Sequence, residues 1–148
     1  MELTLLPATG ADTETVIRLN KELIDRYEDI ASIPYDDVMG WVRRTVTENI
    51  GAYRRIFCGG RHAGYLYFHP EGEKMALDDL FVFPQFQGRG IGTAAVRQCL
   101  AESEKTVSLH AFIKNEGAVR LYQRLGFEVV EKIGGTRYRM EYKRAECG

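Results

Sequence analysis

Apolar residues recur along this chain with two periods, and their succession lays out an alternating order of strands and helices. Leu3–Leu6 reads as a first strand. Val16, Leu19, Leu23 and Tyr27 follow at helical spacing, behind Thr9 and Asp12 as N-cap candidates, so a helix is predicted to about Tyr27. A second helix, Tyr35 to about Glu48, starts after Pro34 and carries Val38, Trp41, Val42 and Thr45 on one face. Tyr53–Cys58 and Ala63–Phe68 are strands joined through Gly59-Gly60, a hairpin signal. After a turn at His69-Pro70-Glu71-Gly72, Met75–Phe83 is a fourth strand. Thr93–Glu104 is helical and Val107–Ile113 is a fifth strand. Ala118, Leu121, Tyr122 and Leu125 define one face of a helix between an Asn115 N-cap and a Gly126 stop. Phe127–Lys132 and Thr136–Tyr142 close the chain as a pair hinged at Gly134-Gly135. The order is β-α-α-β-β-β-α-β-α-β-β, an α/β (α+β) arrangement of about seven strands.

One link in that order has a composition of its own. Gln87-Gly88-Arg89-Gly90-Ile91-Gly92 joins the apolar run Leu80-Phe81-Val82-Phe83 to the helix from Thr93. Glycines here let the backbone bend and let a ligand approach closely. Successive N–H groups converge on an anion, and the helix that follows adds its positive end. The segment therefore reads as a diphosphate cradle. A P-loop is excluded, because no Lys occurs between Lys74 and Lys105. A dinucleotide fingerprint is matched only loosely by Gly90-Ile91-Gly92-Thr93-Ala94-Ala95. The acidic residue it requires about twenty positions on falls at Glu116, at a helix start and not at a strand end.

The cradle and the segment Asn115-Glu116-Gly117-Ala118-Val119-Arg120-Leu121-Tyr122-Gln123-Arg124-Leu125-Gly126-Phe127 together resemble the GNAT superfamily of acyl-CoA-dependent N-acyltransferases. The resemblance is most specific from about Met75 to Phe127. It implies one N-acetyltransferase domain over 1–148, a mixed central sheet with helices on both faces, and a sheet splayed between the fourth and fifth strands where CoA enters. It implies attack of an amine on an acyl-CoA thioester, with acetyl-CoA as cosubstrate. The backbone of Gln87, Gly88, Arg89, Gly90, Ile91, Gly92 and Thr93 would hold the pyrophosphate, with Arg89 and Arg97 as candidate charges beside it. The main chain of Leu80, Phe81 and Val82 would pair with the pantetheine arm, the N–H near Val82 serving as oxyanion donor. Asn115 and Tyr122 would complete the cofactor side, and Tyr122 is the matched general acid. A phenol of pKa about 10 donates uphill to a thiolate of about 8.5 unless the site lowers it.

The general base has several candidates. His110 stands on the fifth strand where several relatives carry a carboxylate, and reads either as a proton acceptor or as a buried, hydrogen-bonded histidine. Asp78 and Asp79 compete with it. As neighbours in a strand they point to opposite faces, so at most one faces the cleft. His62 and His69 lie near turns as exposed bystanders, and the three histidines suggest no metal site.

Bulk properties narrow the setting. The 148 residues carry a formal charge of −1, which gives no global attraction to nucleic acid. No signal peptide and no run of eighteen apolar residues is present, so no membrane partner and a cytoplasmic location are expected. Cys58, Cys99 and Cys147 form no Cys-x-x-Cys pair. The first two read as core and the last as an exposed thiol near the C-terminus. The acceptor is expected to be a small-molecule amine, with a peptide or protein amine as the second possibility; Tyr27-Glu28-Asp29, Tyr35-Asp36-Asp37 and Trp41 read either as contacts for a cationic amine or as a solvated helix end and helix-start charge pair. The protein is expected to be a monomer or homodimer. A non-catalytic acyl-CoA-binding module and a nucleotide-binding regulator are the alternative readings.

Overall fold

A computed structural model describes residues 1–144. Its regular elements are β1 (Leu3–Pro7), α1 (Thr13–Tyr27), α2 (Tyr35–Asn49), β2 (Arg54–Cys58), β3 (Arg61–Glu71), β4 (Lys74–Val82), α3 (Ile91–Glu102), β5 (Val107–Phe112), α4 (Glu116–Arg124), β6 (Glu128–Ile133) and β7 (Arg137–Tyr142). The strands form one seven-stranded sheet in the order β1-β2-β3-β4-β5-β7-β6. All neighbours are antiparallel except β4 and β5. That parallel pair needs a crossover, which α3 supplies.

The helices cover both faces because the strands are apolar on both. Val16, Ile17 and Ile24 of α1 and Val42 and Val46 of α2 pack on Tyr53, Tyr65, Tyr67 and Phe81. On the other face Ile91, Ala95, Val96 and Cys99 of α3 and Val119 and Tyr122 of α4 pack on Ile56, Leu66, Leu77, Leu109 and Met140. Cys58 is half-buried, not fully core, and Cys147 lies outside the described residues.

One difference from the sequence expectation concerns the end of β3. The turn expected from His69 shrinks, because β3 continues to Glu71. Pro70 is tolerated there since β2 covers β3 only as far as Leu66, so its missing N–H breaks no ladder. Gly64 permits a close β3–β4 approach: a Cβ at this position would lie 1.8 Å from the carbonyl oxygen of Phe81.

The β3–β4 register then slips. Tyr67 pairs with Asp79 but Phe68 pairs with Leu77, which leaves Asp78 as an extra residue in β4. Such a bulge bends a strand and re-aims its side chains. Leu77, Leu80 and Val82 pack toward the α3/α4 side, whereas Phe81 packs toward α1/α2. Beyond the bulge β4 leaves its neighbour. Only Met75, Ala76 and Leu77 pair with β5, so the sheet is splayed from Asp78 onward.

Candidate active site

The loop after β4 enters α3 through a left-handed turn. Gly88 and Gly90 have φ of 76° and 80°, and Gly90 is the helix N-cap. Gln87 N–H donates to Pro84 O and Ala94 N–H to Gly90 O. Among the described residues no backbone N–H from Gly88 to Thr93 has a partner. Free amides at the positive end of a twelve-residue helix are what an anionic diphosphate requires. Nothing lies within 4 Å of a Cβ built on Gly90, and Gly90 borders a hollow lined also by Met1, Thr93, Ala94 and Arg97. Arg89 lies instead over the Phe86 ring, 5.7 Å from its centroid. Ile91 is buried in the core, so only its backbone is available. Gly92 plays a different part: its Cβ would face Leu121 at 3.5 Å and Val82 at 3.9 Å, so this glycine brings α3 close to α4 and β4.

The splay opens the sheet to a cavity of about 850 Å³, walled by α1, α2, β3, β4, β5 and α4. Phe83 N–H is bonded to Ala63 O of β3. By the two-residue period of a strand, the polar groups of Leu80 and Val82 therefore face the gap. Val82 O there accepts from the Gln87 side chain at 2.9 Å, so Gln87 props the edge of the gap from below its own loop. Phe81 is buried with its side chain in the α1/α2 core.

Asp78, Asp79, His110, Asn115 and Tyr122 all border this cavity. The expectation that at most one of the aspartates faces the cleft is corrected, because the bulge cancels the alternation that would separate them. Asp79 is held from two elements: Oδ2 accepts from the Tyr53 hydroxyl and from Asn20 Nδ2 at 3.4 Å. Its Oδ1 has no partner and is not sealed off, since no buried side-chain oxygen of the described residues lacks one. Burial pushes the Asp79 carboxyl up to about 7, against the two hydrogen bonds that favour its charge; the neighbouring Asp78 adds to the rise.

Tyr122 is buried against Phe127, edge to face at 5.6 Å. Its hydroxyl makes no hydrogen bond among the described residues and opens on the cavity. Burial, with Asp79 and Cys99 contributing, raises this phenol above its ordinary value. The site therefore does not lower it as full proton donation to a thiolate would require. The His110 side chain is exposed and makes no hydrogen bond among the described residues, which removes the buried-histidine reading. Asn115 caps α4 through Ala118 N–H at 3.4 Å.

Sequence reasoning missed several cavity residues, three of them rings. Tyr53 stacks on Tyr67 at 4.4 Å, and Tyr67 stacks on His69 at 4.2 Å, forming a column of rings beside the aspartates. Alternation in β3 (Tyr65, Tyr67, His69) was the available signal, obscured by the turn assigned at His69. His69 is thus no bystander, and His62 is packed among Phe57, Tyr65 and Phe83. Of the expected acceptor region only Asp37 and Trp41 reach the cavity. Glu28 is spent on Arg137 at 3.0 Å and the Tyr35 hydroxyl on Asp25 at 2.6 Å. Carboxylates from Asp37, Glu71, Asp78 and Asp79 give the wall an acidic character, with Arg137 already paired.

Comparison with known proteins places this geometry. The acetyltransferase (GNAT) family model matches residues 18–127. An uncharacterized N-acetyltransferase of Methanocaldococcus jannaschii is 39% identical over 67 residues, 43% of this chain and 30% of that protein. The chain thus aligns with less than a third of that relative's length. An N-acetyltransferase from Staphylococcus aureus Mu50 superposes with a TM-score of 0.71 at 16% identity, over 93% of this chain and 98% of the other. The PaiA N-acetyltransferase of Thermoplasma acidophilum, solved in complex with coenzyme A, gives 0.69 at 18% identity, over 97% and 99%. At such identities the two structures attest the fold.

Proposed function

Since the chain belongs to the acetyltransferase (GNAT) family, we propose that it is an acyl-CoA-dependent N-acyltransferase that moves an acetyl group from acetyl-CoA to a small primary amine. The observation that carries this reading is the juxtaposition of a partner-free amide cradle with an acidic cavity through the same splayed edge of β4. The cradle's amides and Arg97 suit the diphosphate, and the gap suits an extended arm that pairs with Leu80 and Val82. The acidic wall suits an ammonium group.

Asp79 is the proton acceptor in this reading. An alkyl ammonium of pKa about 10.4 must lose a proton before nitrogen attacks the thioester carbon. A carboxylate brought to about 7 accepts it far better than an ordinary one, and its free Oδ1 faces the cavity. The Val82 N–H receives the charge that develops on the carbonyl oxygen as the C–N bond forms. When the C–S bond breaks, the Tyr122 hydroxyl donates a hydrogen bond to the departing sulfur. Because its phenol is held above its ordinary value, it steadies the thiolate and leaves final protonation to water.

The Tyr122 role has a measurable size. Loss of a hydrogen bond to a charged atom costs about 1.5–3 kcal/mol, so Tyr122→Phe should lower kcat about 10–100-fold with acetyl-CoA affinity nearly intact. Steady-state kinetics with calorimetry checks both numbers, and an unchanged kcat reduces Tyr122 to packing. The donor side is tested by titrating acetyl-CoA, ATP and NAD separately. The proposal expects saturable binding of acetyl-CoA alone, and preference for either nucleotide would replace it by a nucleotide-binding regulator.

A further inference from the structure

The bulge that turns both aspartates into the cavity creates an electrostatic problem, because two adjacent carboxylates there disfavour each other's charge. The chain meets it on β3. His69 Nε2 lies 2.5 Å from Asp78 Oδ2, and His69 Nδ1 lies 2.9 Å from the carbonyl oxygen of Pro70. Both ring nitrogens thus face oxygens, one of which only accepts. Nδ1–H donates to Pro70. Nε2 then either donates to an ionised Asp78 or accepts a proton carried by Asp78. With that shared proton present, the pair holds one proton more than a neutral imidazole beside a carboxylate. Stacking on Tyr67 and the Pro70 contact fix the ring in this place.

We propose that His69 is a positioning residue for acyl transfer: the proton it shares with Asp78 offsets that carboxylate's charge beside Asp79, and thereby limits how far Asp78 raises the pH at which Asp79 takes the amine's proton. This rests on the reading of Asp79 as proton acceptor. No bond other than the shared N–H···O or O–H···N contact is involved, and the proton stays within the pair through turnover. Other groups face the same space. Tyr67 and Glu71 come from β3, Asp37 from α2 and Arg137 from β7. His110 of β5, Tyr122 of α4 and Tyr53 complete the titratable set. Arg137 is neutralised by Glu28, so His69 is the group placed to compensate Asp78 directly.

The test is the pH profile of kcat/KM for acetyl transfer in a set of variants whose thermal melts confirm folding. His69→Gln leaves Asp78 anionic, and His69→Phe does the same while keeping the stack on Tyr67. Either should move the acidic limb up by about one pH unit, since a like charge within a few ångströms disfavours the Asp79 carboxylate. Removing the uncompensated charge as well, in His69→Gln/Asp78→Asn, should return the limb to its wild-type position. A limb that stays put in both folded His69 variants overturns the proposal. So does a double variant that fails to restore it, which makes His69 structural, and so does loss of the limb with the ring, which makes His69 the acceptor. Asp79→Asn separates the two levels. A limb lost there but unmoved by His69 changes sinks only the proposal; a limb retained in Asp79→Asn removes Asp79 as acceptor and the proposal with it.

Discussion

Asp79→Asn is expected to lower kcat/KM for acetyl transfer by about 10²–10⁴-fold, the usual contribution of a positioned proton acceptor, while making the fold more stable above pH 7. Both effects have one cause. The amide keeps an oxygen for Tyr53 and Asn20 but cannot take a proton from the amine. The stability effect follows from the raised carboxyl, about 7 when folded against an ordinary 3.8. Below 3.8 the group is protonated in both states and contributes no difference. As pH rises from there to 7 the unfolded chain ionises first, so folding loses stability, and above 7 the full cost of holding a desolvated carboxylate is present. Replacing it should therefore raise stability by up to about 4 kcal/mol at pH 8 and by little at pH 4. Urea melts at the two pH values check this. An inactive variant without the pH-dependent gain would locate the defect in the fold.

Gly90→Val should weaken acetyl-CoA binding by about 10–100-fold, a loss of about 1.4–2.8 kcal/mol. Two physical terms act together. The φ of 80° is a left-handed conformation that a β-branched residue resists. The new side chain would also occupy open space beside Gly90, at the rim of the hollow that this residue borders. Gly72→Val is the matched control. It has a φ of 61° and open space around its Cβ, but sits at the β3–β4 turn far along the chain from the cradle. Both variants should lose stability, and only Gly90→Val should lose the ligand. Calorimetry showing equal affinity in folded Gly90→Val and wild-type protein would remove the cradle assignment. Gly92→Val is a poorer probe than the motif suggests, because its Cβ faces Leu121 and Val82 and would push α3 off its neighbours.

The element order and the seven strands were legible because each rests on local signals: period in α1, α2 and α4, glycines at the hairpins, and the cradle between β4 and α3; the splay was expected only from the family resemblance. The bulge was not legible. The three-residue spacing of Leu77 and Leu80 interrupts the two-residue period, but only the pairing of β4 with β3 at Tyr67 and Phe68 shows where the slip falls and which way it turns Asp78. With it went the placement of Asp78 and the importance of His69, whose partner is nine residues away in sequence. The direction of the Tyr122 shift was equally hidden, since burial by Phe127 and the core depends on packing that no motif encodes. The acceptor region was read too broadly for the same reason: Glu28 and Tyr35 find partners in Arg137 and Asp25 that remove them from the cavity.

The most direct test of acyl transfer is to incubate the protein with acetyl-CoA and each member of a panel of small primary amines, diamines and peptide N-termini, following free thiol and product mass together. The account predicts thiol release that requires an amine, equals the N-acetylated product formed, and rises with pH through about 7 as Asp79 ionises. Tight binding of acetyl-CoA with no amine-dependent thiol release across the panel would contradict it, and would leave an acyl-CoA-binding module in place of an enzyme.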